Sequence, residues 1–344
     1  MKNLLLILFF FVIFSCNKKI KFIKTKRILS EIDSLNTKKE IEQLVGKIDS
    51  LYQKIEIKPI QDITFRNCND SIIKELAKRK NVNFELVKVD FDNNGLVDVL
   101  FIGNNKTYTN ENCNPKLEVE FSKEYNTLVL MNYGKNKYKL LDVSEDKYYP
   151  IVPQVIIEQS QCFLRIFKPK ILNSRKIVKR YETVSKMTFK FDHFIEYNPN
   201  PAEYNIEKIE FASKGCAGTC PAFNIAISDS REALINAKSF NYSSEWQKGK
   251  FMEGNYSAII KENDFKKLKN LLVYLDFPTL KNNYSLVSFH HPEGKLTITY
   301  NGGKVKTIND FGLVGTYGLK RAYNMLANFR FNQNWKKQVT DNKL

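Results

Sequence analysis

The chain has 344 residues, 43% of them hydrophobic, including 25 Phe and 17 Tyr. That is enough apolar material for two folded domains, and it excludes a disordered tether. The formal charge is +17, but lysine is spread over the whole length with no arginine cluster and no basic helix, so nucleic acid is not an expected partner.

The first fifteen residues carry basic Lys2, an apolar run from Leu4 to Phe14 that is too short to span a bilayer, and Ser15 ahead of Cys16. This pattern resembles a bacterial lipoprotein signal. The resemblance implies a signal peptide over 1–15, acylation of Cys16, and a membrane partner reached through lipid. The stretch after Cys16, NKKIKFIKTKR, is basic and unlike the acidic surface-export signals of bacterial lipoproteins. The expected location is therefore the periplasmic side of the outer membrane. Within 16–60, Leu44, Ile48, Leu51 and Ile55 recur as one helix face, which predicts a helical stalk ended by Lys58-Pro59. Packing of this helix on its own domain and a loose coiled-coil contact are both open.

Residues 61–200 read as a β-rich antiparallel first domain. Asp70-Ser71 can cap a short helix carrying Ile72, Ile73 and Leu76. Strand-like runs follow, from FELVKVDF, VDVLFIG, TLVLMNYG, KYKLLDV, QVIIE and CFLRIFK to KIVKRYETV and MTFKFDHF, with a hairpin turn near Asn136-Lys137 after Gly134. Asn198-Pro199-Asn200-Pro201 reads as a linker. Residues 205–337 then form a smaller mixed α+β domain. One of its helices is capped by Asn263 or Asp264 and buries Phe265, Leu268, Leu271, Leu272 and Leu275. Another buries Leu319, Ala322, Tyr323, Leu326 and Phe329. Between them Asn301-Gly302 joins two alternating strands as a hairpin. The fold class is α+β.

The segment VDFDNNGLVDVLF is the most chemical in the chain. Asp90, Asp92, Asn94 and Asp98, with the carbonyl of Leu96, place oxygen ligands at loop positions one, three, five, nine and seven, a spacing that suits calcium. The twelfth position is Phe101 and not a bidentate glutamate, and the flanks read as strands, so this is not an EF-hand. It resembles a single FG-GAP-type calcium loop, which implies calcium held by those residues. The alternative is a metal-free turn in which Asp and Asn cap their own backbone.

Apart from Cys16 the cysteines are Cys68, Cys113, Cys162, Cys216 and Cys220. The odd count leaves one free, and Cys162 in QCFLRIFK is expected as a buried free thiol, whereas Cys68 and Cys113 can pair. Cys216 and Cys220, four apart around Gly218, can close a small structural disulfide. Free thiols, or a redox or metal role, are the alternatives. The motif Cys216, Gly218, Cys220, Pro221 and the elements that follow it resemble the uncharacterised DUF6438 family, a resemblance that implies a domain over about 205–337 and no known activity.

His193, expected on a polar strand face or at the end of the sheet, and His290 and His291, in a loop, have no nucleophile elbow, Walker loop or metalloprotease helix around them. The expected function is a lipid-anchored cell-envelope protein with a non-enzymatic binding or structural role, its partner an envelope protein or glycan. The alternative is a thiol–disulfide redox protein using Cys216 and Cys220.

Overall fold

A computed structural model describes residues 30–63, 70–105, 125–144, 151–169, 182–216, 218–244, 248–285 and 291–338. The lipoprotein signal, Cys16, Cys68, Cys113 and His290 lie outside the described residues. Among the described residues no helix is long and apolar enough to cross a membrane.

The first half contains α1 (Glu31–Ser34), α2 (Lys38–Ile48), β1 (Ile55–Ile57), α3 (Asp70–Arg79), β2 (Leu86–Val89), β3 (Asp98–Asn105), β4 (Tyr125–Asn132) and β5 (Tyr138–Asp142). Its sheet runs β1-β3-β4-β5, with β2 also paired to β3. A second sheet takes β6 (Val152–Glu158), β7 (Gln161–Lys168), β8 (Thr183–Lys190) and β9 (His193–Glu196) in that order. Every strand pair in both sheets is antiparallel.

Strands β3 and β4 are buried on both faces, which is why their sequences read as apolar runs and not as alternation. Val99, Phe101, Leu128 and Leu130 pack against Ile32, Ile41 and Val45 of α1 and α2. Leu100, Val129 and Met131 point the other way, into a core shared with Leu164, Ile166, Met187 and Phe194 of the second sheet.

The expected stalk is corrected here. Helix α2 begins on a capping box, with Thr37 Oγ1 accepting from Glu40 N and the Glu40 carboxylate accepting from Thr37 N. It ends at Ile48, because Asp49 turns into extended backbone and its side chain accepts Leu51 N. Leu51 is then exposed in a single 3-10 turn, and Ile55 leaves for β1, where it pairs with Asn105 of β3. The helix therefore packs on its own domain, and its buried face is Ile41 and Val45.

A second correction concerns MTFKFDHF, which is not one strand. Phe191 and Asp192 both take positive φ (55° and 60°) and fold it into the β8–β9 hairpin. Of the two places expected for His193, the structure gives the end of the sheet: it opens the outermost strand β9, and it is buried and not on a polar face, with Nδ1 3.1 Å from Phe194 O.

The second half contains β10 (Ile206–Lys214), β11 (Ala222–Ser228), β12 (Glu232–Ser239), β13 (Tyr242–Ser244), β14 (Lys248–Phe251), β15 (Gly254–Ile259), α4 (Glu262–Tyr274), β16 (Asn283–Ser285), β17 (Glu293–Tyr300), β18 (Lys304–Phe311), α5 (Tyr317–Asn332) and β19 (Lys336–Lys337). Eight strands form one sheet in the order β16-β18-β17-β10-β11-β12-β15-β19, and only β16 with β18 is parallel. Helices α4 and α5 pack Phe265, Leu268, Leu272, Leu319, Tyr323 and Phe329 onto a single apolar core with Ile209, Phe211, Ile225 and Ile298 of the sheet. The β17–β18 turn carries positive φ at Asn301, Gly302 and Gly303. Helix α4 starts at Glu262 with Lys261 as N-cap, ahead of the expected Asn263 or Asp264, and the Asp264 carboxylate instead accepts Gln333 Nε2 at 2.7 Å.

The NPNP segment is tied down where it leaves β9. Asn198 N donates to Tyr274 Oη (2.9 Å) and Asn198 Nδ2 to Tyr274 O (2.8 Å). Beside it, Glu196 of β9 accepts Tyr317 N (2.7 Å) and Gly318 N (2.9 Å) at the start of α5, and Tyr317 Oη donates to Val143 O (3.1 Å). Tyr317 packs within the first half's core, so the two halves are docked at the α5 N-terminus.

Candidate functional site

The acidic turn joins β2 to β3 and is built from short-range hydrogen bonds. Asp90 Oδ1 accepts Asn94 N (3.2 Å) and Oδ2 accepts Gly95 N (2.8 Å). Asp92 Oδ1 also accepts Asn94 N (3.2 Å), and Asn94 Oδ1 accepts Leu96 N (2.7 Å). Positive φ at Asn93 (57°) and Gly95 (85°) lets the chain reverse over these contacts. Asp98, the first residue of β3, is fully buried. Its Oδ2 accepts Phe91 N and its Oδ1 accepts Asn132 N from β4, each at 2.8 Å. One carboxylate thus fastens the turn to the neighbouring strand.

Carboxylate oxygens of Asp90, Asp92 and Asp98 lie within 4.8 Å of one another. Oxygens on opposite sides of a calcium ion stand roughly 4.6–5.2 Å apart, twice its usual bond length, so this donor set has the chemistry and spacing of a hard-cation site. Burial, joined by the neighbouring Asp90, pushes the Asp92 carboxyl up to about 6 against the Asn94 N–H. Burial pushes Asp98 up to about 7, with the N–H groups of Phe91 and Asn132 opposing and the charges of Asp92 and Asp90 adding to it. Carboxylates crowded in this way hold either a proton or a cation.

Among the five candidate ligands, the carboxylates of Asp90, Asp92 and Asp98 come together. Asn94 has its amide oxygen on Leu96 N, while its amide nitrogen donates to Asp92 (3.1 Å) and to Asn132 O (2.8 Å), so it holds the turn in shape. The Leu96 side chain lies against Gly134, where an added Cβ would come within 3.2 Å of Leu96 Cδ1. The residue that sequence reasoning missed is Asn132. It is fully buried, and its Nδ2 donates to Ser30 Oγ (2.9 Å) and Val97 O (3.2 Å). Its only signal was a polar residue closing an apolar strand.

Cys162 is free and buried on β7. Burial, then the charges of Asp90 and Asp98, push its thiol up to about 12. The thiolate is the reactive form, so Cys162 in the native protein is expected to resist iodoacetamide at about pH 8 and to react fully in denaturant. Mass spectrometry of the Cys162 peptide reads this out, and rapid native labelling would show that the thiol is accessible.

The β10–β11 connection is closed by a Cys216–Cys220 disulfide with Cα atoms 5.4 Å apart. Next to it Ser213 Oγ donates to Pro221 O at 2.9 Å, tying the end of β10 to the start of β11.

Residues 207–330 match the family model of DUF6438, a domain of unknown function. No curated protein and no solved structure matches. The DUF6438 region holds the disulfide loop and most of the eight-stranded sheet with α4 and α5, whereas the acidic turn lies outside it. Within the DUF6438 region, Asp310 repeats the bonding of Asp90: Oδ1 accepts Val314 N (2.8 Å) and Oδ2 accepts Gly315 N (2.9 Å). The same loop geometry thus recurs at a second aspartate. What sets the 90–98 turn apart is the arrival of two further carboxylates, the one such trio among the described residues.

Proposed function

We propose that this is a lipid-anchored cell-envelope protein with a non-enzymatic binding or structural role, in which Asp90, Asp92 and Asp98 hold a calcium ion that braces the first domain. The observation that carries the calcium reading is the convergence of three carboxylates within 4.8 Å, one of them buried and bonded both to the turn and to β4. In this reading Cys16 carries the lipid, the protein faces the periplasm from the outer membrane, and the partner is an envelope protein or a glycan. The ion serves structure, stiffening the β2–β3 turn and its hold on β4 through Asp98.

The test is a calcium titration of chelator-treated full-length protein in non-ionic detergent, followed by heat release and melting temperature. At a hundredfold excess over Kd, calcium is expected to add about 2.7 kcal/mol, which raises the melting temperature of one cooperative unit of this length by roughly 4 °C. The double variant Asp90→Ala, Asp92→Ala is expected to lose this response. No shift in wild type across the millimolar range would leave a self-capped turn. In the same preparations Cys16→Ala is expected to leave the chain without the mass of an attached lipid, and an unchanged mass would remove the anchor from the reading.

A second reading, thiol–disulfide exchange at Cys216 and Cys220, has the pairing of those cysteines in its favour. It requires one of them, once reduced, to be an exposed thiol of low pKa.

A further inference from the structure

A cleft of about 360 Å³ opens where the second sheet meets the chain leaving β9 and the end of α4. Small-molecule sites usually fall between roughly 300 and 1,000 Å³, so the cleft has room for one small ligand. Its lining takes Gln161 from β7, Thr188 and Lys190 from β8, Tyr197 from the chain after β9, and Tyr274 from α4. The NPNP segment completes it with Pro199 and Pro201. That segment is held by the two hydrogen bonds of Asn198 to Tyr274, and its prolines have a fixed φ, so this part of the cleft is formed before any ligand arrives.

Two of the lining side chains are buried hydroxyls, with Thr188 6% exposed and Tyr274 5% exposed. Thr188 Oγ1 accepts Gln161 Nε2 at 3.4 Å, and Tyr274 Oη accepts Asn198 N at 2.9 Å. Among the described residues neither hydroxyl has an acceptor for its own proton. Burial, then the neighbouring Tyr197 and Glu196, hold the Tyr274 phenol above its ordinary range against the Asn198 N–H, so it remains a donor. Buried donors are normally bonded, and two such groups in one cleft point to an acceptor supplied by a ligand.

The two lysines nearby differ in their partners. Lys186 Nζ pairs with Glu158 at 2.5 Å and lies over the rings of Phe163 (3.9 Å) and Tyr197 (4.7 Å). Lys190 lines the cleft, with its Nζ 4.5 Å over the Tyr274 ring, and among the described residues it has no carboxylate partner. No Asp or Glu stands in the lining. The cleft therefore offers hydroxyls, an amide, aromatic rings and one uncompensated cation.

We propose that this cleft binds an acidic sugar, a pyranose bearing a single carboxylate. The sugar's hydroxyls act as donors and acceptors toward Gln161, Thr188 and Tyr274, and its C–H face suits an aromatic ring such as Tyr197. Its carboxylate matches the one ammonium of Lys190. A phosphate monoester would bring roughly −1.5 to −2 to a single cation, and a neutral sugar would leave Lys190 without a counter-charge. The proposal rests on the binding reading in its glycan form and is independent of the calcium site.

The test uses chelator-treated full-length protein in a polyoxyethylene detergent, which has no sugar headgroup. Ligand-observed saturation-transfer NMR is run with sodium glucuronate, galacturonate and mannuronate, with glucose and sodium acetate as controls at matched ionic strength. Saturable binding of at least one uronate is expected, about tenfold tighter than that of glucose, with none of acetate. Lys190→Gln, on an exposed side chain, is expected to bring that uronate down to the level of glucose. Gln161→Ala is expected to weaken both sugars several-fold. Uronate affinity unchanged in Lys190→Gln, with only the melting temperature lowered, would make Lys190 a clamp on the Tyr274 ring and overturn the proposal. Equal binding of glucose and uronates, or a response to acetate that matches them, would overturn it too, as would no binding of any probe. Any of these failures would leave the calcium response and the lipid on Cys16 as they were, so the cleft fails separately from the envelope reading.

Discussion

Replacing Asp98 by alanine is expected to cost about 2–6 kcal/mol of folding stability, since each of two buried N–H groups left without an acceptor costs about 1–3 kcal/mol. The two donors are Phe91 N, inside the turn, and Asn132 N, on β4, and Asp98 itself is fully buried, so water cannot replace it. A loss of that size is a large part of a typical domain's stability of about 5–15 kcal/mol. Asp98→Asn keeps one acceptor oxygen and is expected to lose about half as much. Asp90→Ala removes acceptors only from Asn94 N and Gly95 N, in an exposed or partly exposed stretch, and is expected to cost about 0.5–1 kcal/mol. Urea denaturation of the three variants in chelator measures the ranking. Equal losses at Asp98 and Asp90 would mean that the buried carboxylate is not the fastener described above. The calcium response is expected to disappear in Asp98→Ala even under conditions where the variant remains folded.

The second large effect is expected at Glu196. Its carboxylate receives Tyr317 N and Gly318 N, two of the N–H groups that open α5, and its negative charge lies at the positive end of that helix. Glu196→Ala removes two charge-assisted hydrogen bonds and is expected to cost about 2–4 kcal/mol. It also weakens the contact through which α5, a helix of the second half, inserts Tyr317 into the core of the first. Calorimetry is therefore expected to show one cooperative transition in the wild type and two separated ones in Glu196→Ala. Glu196→Gln retains acceptor oxygen without charge and is expected to fall between them. Two well-separated transitions already present in the wild type would refute the docking of the halves.

The sequence carries some of this organisation plainly. Asn301-Gly302 demanded a turn, and the spacing of Leu319, Ala322, Tyr323, Leu326 and Phe329 marked the buried face of α5, because both signals are local and chemically specific. The same locality made the acidic turn visible, since Asp90, Asp92 and Asp98 fall within nine residues. Other features had a weak local signal or none. Phe191-Asp192 is a weak hairpin signal, because Asp tolerates positive φ but Phe rarely adopts it. Leu51 and Ile55 continue the helical periodicity of Leu44 and Ile48, but Asp49 finds a better partner in Leu51 N and β3 offers Ile55 a strand to join. The linker-like NPNP stretch gives no hint that Asn198 is bonded to Tyr274. Long-range partners decide these positions, and they are set by the topology.

The margins of the eight-stranded sheet carry one more consequence. An antiparallel sheet whose outermost strand is bare offers unpaired N–H and C=O groups to any neighbouring copy. Here one margin ends in three residues of β16, laid parallel on β18, and the other in two lysines of β19, laid on Tyr256 and Ser257 of β15. Both outer strands are short, and the second is charged as well, features that discourage another strand from pairing at those positions.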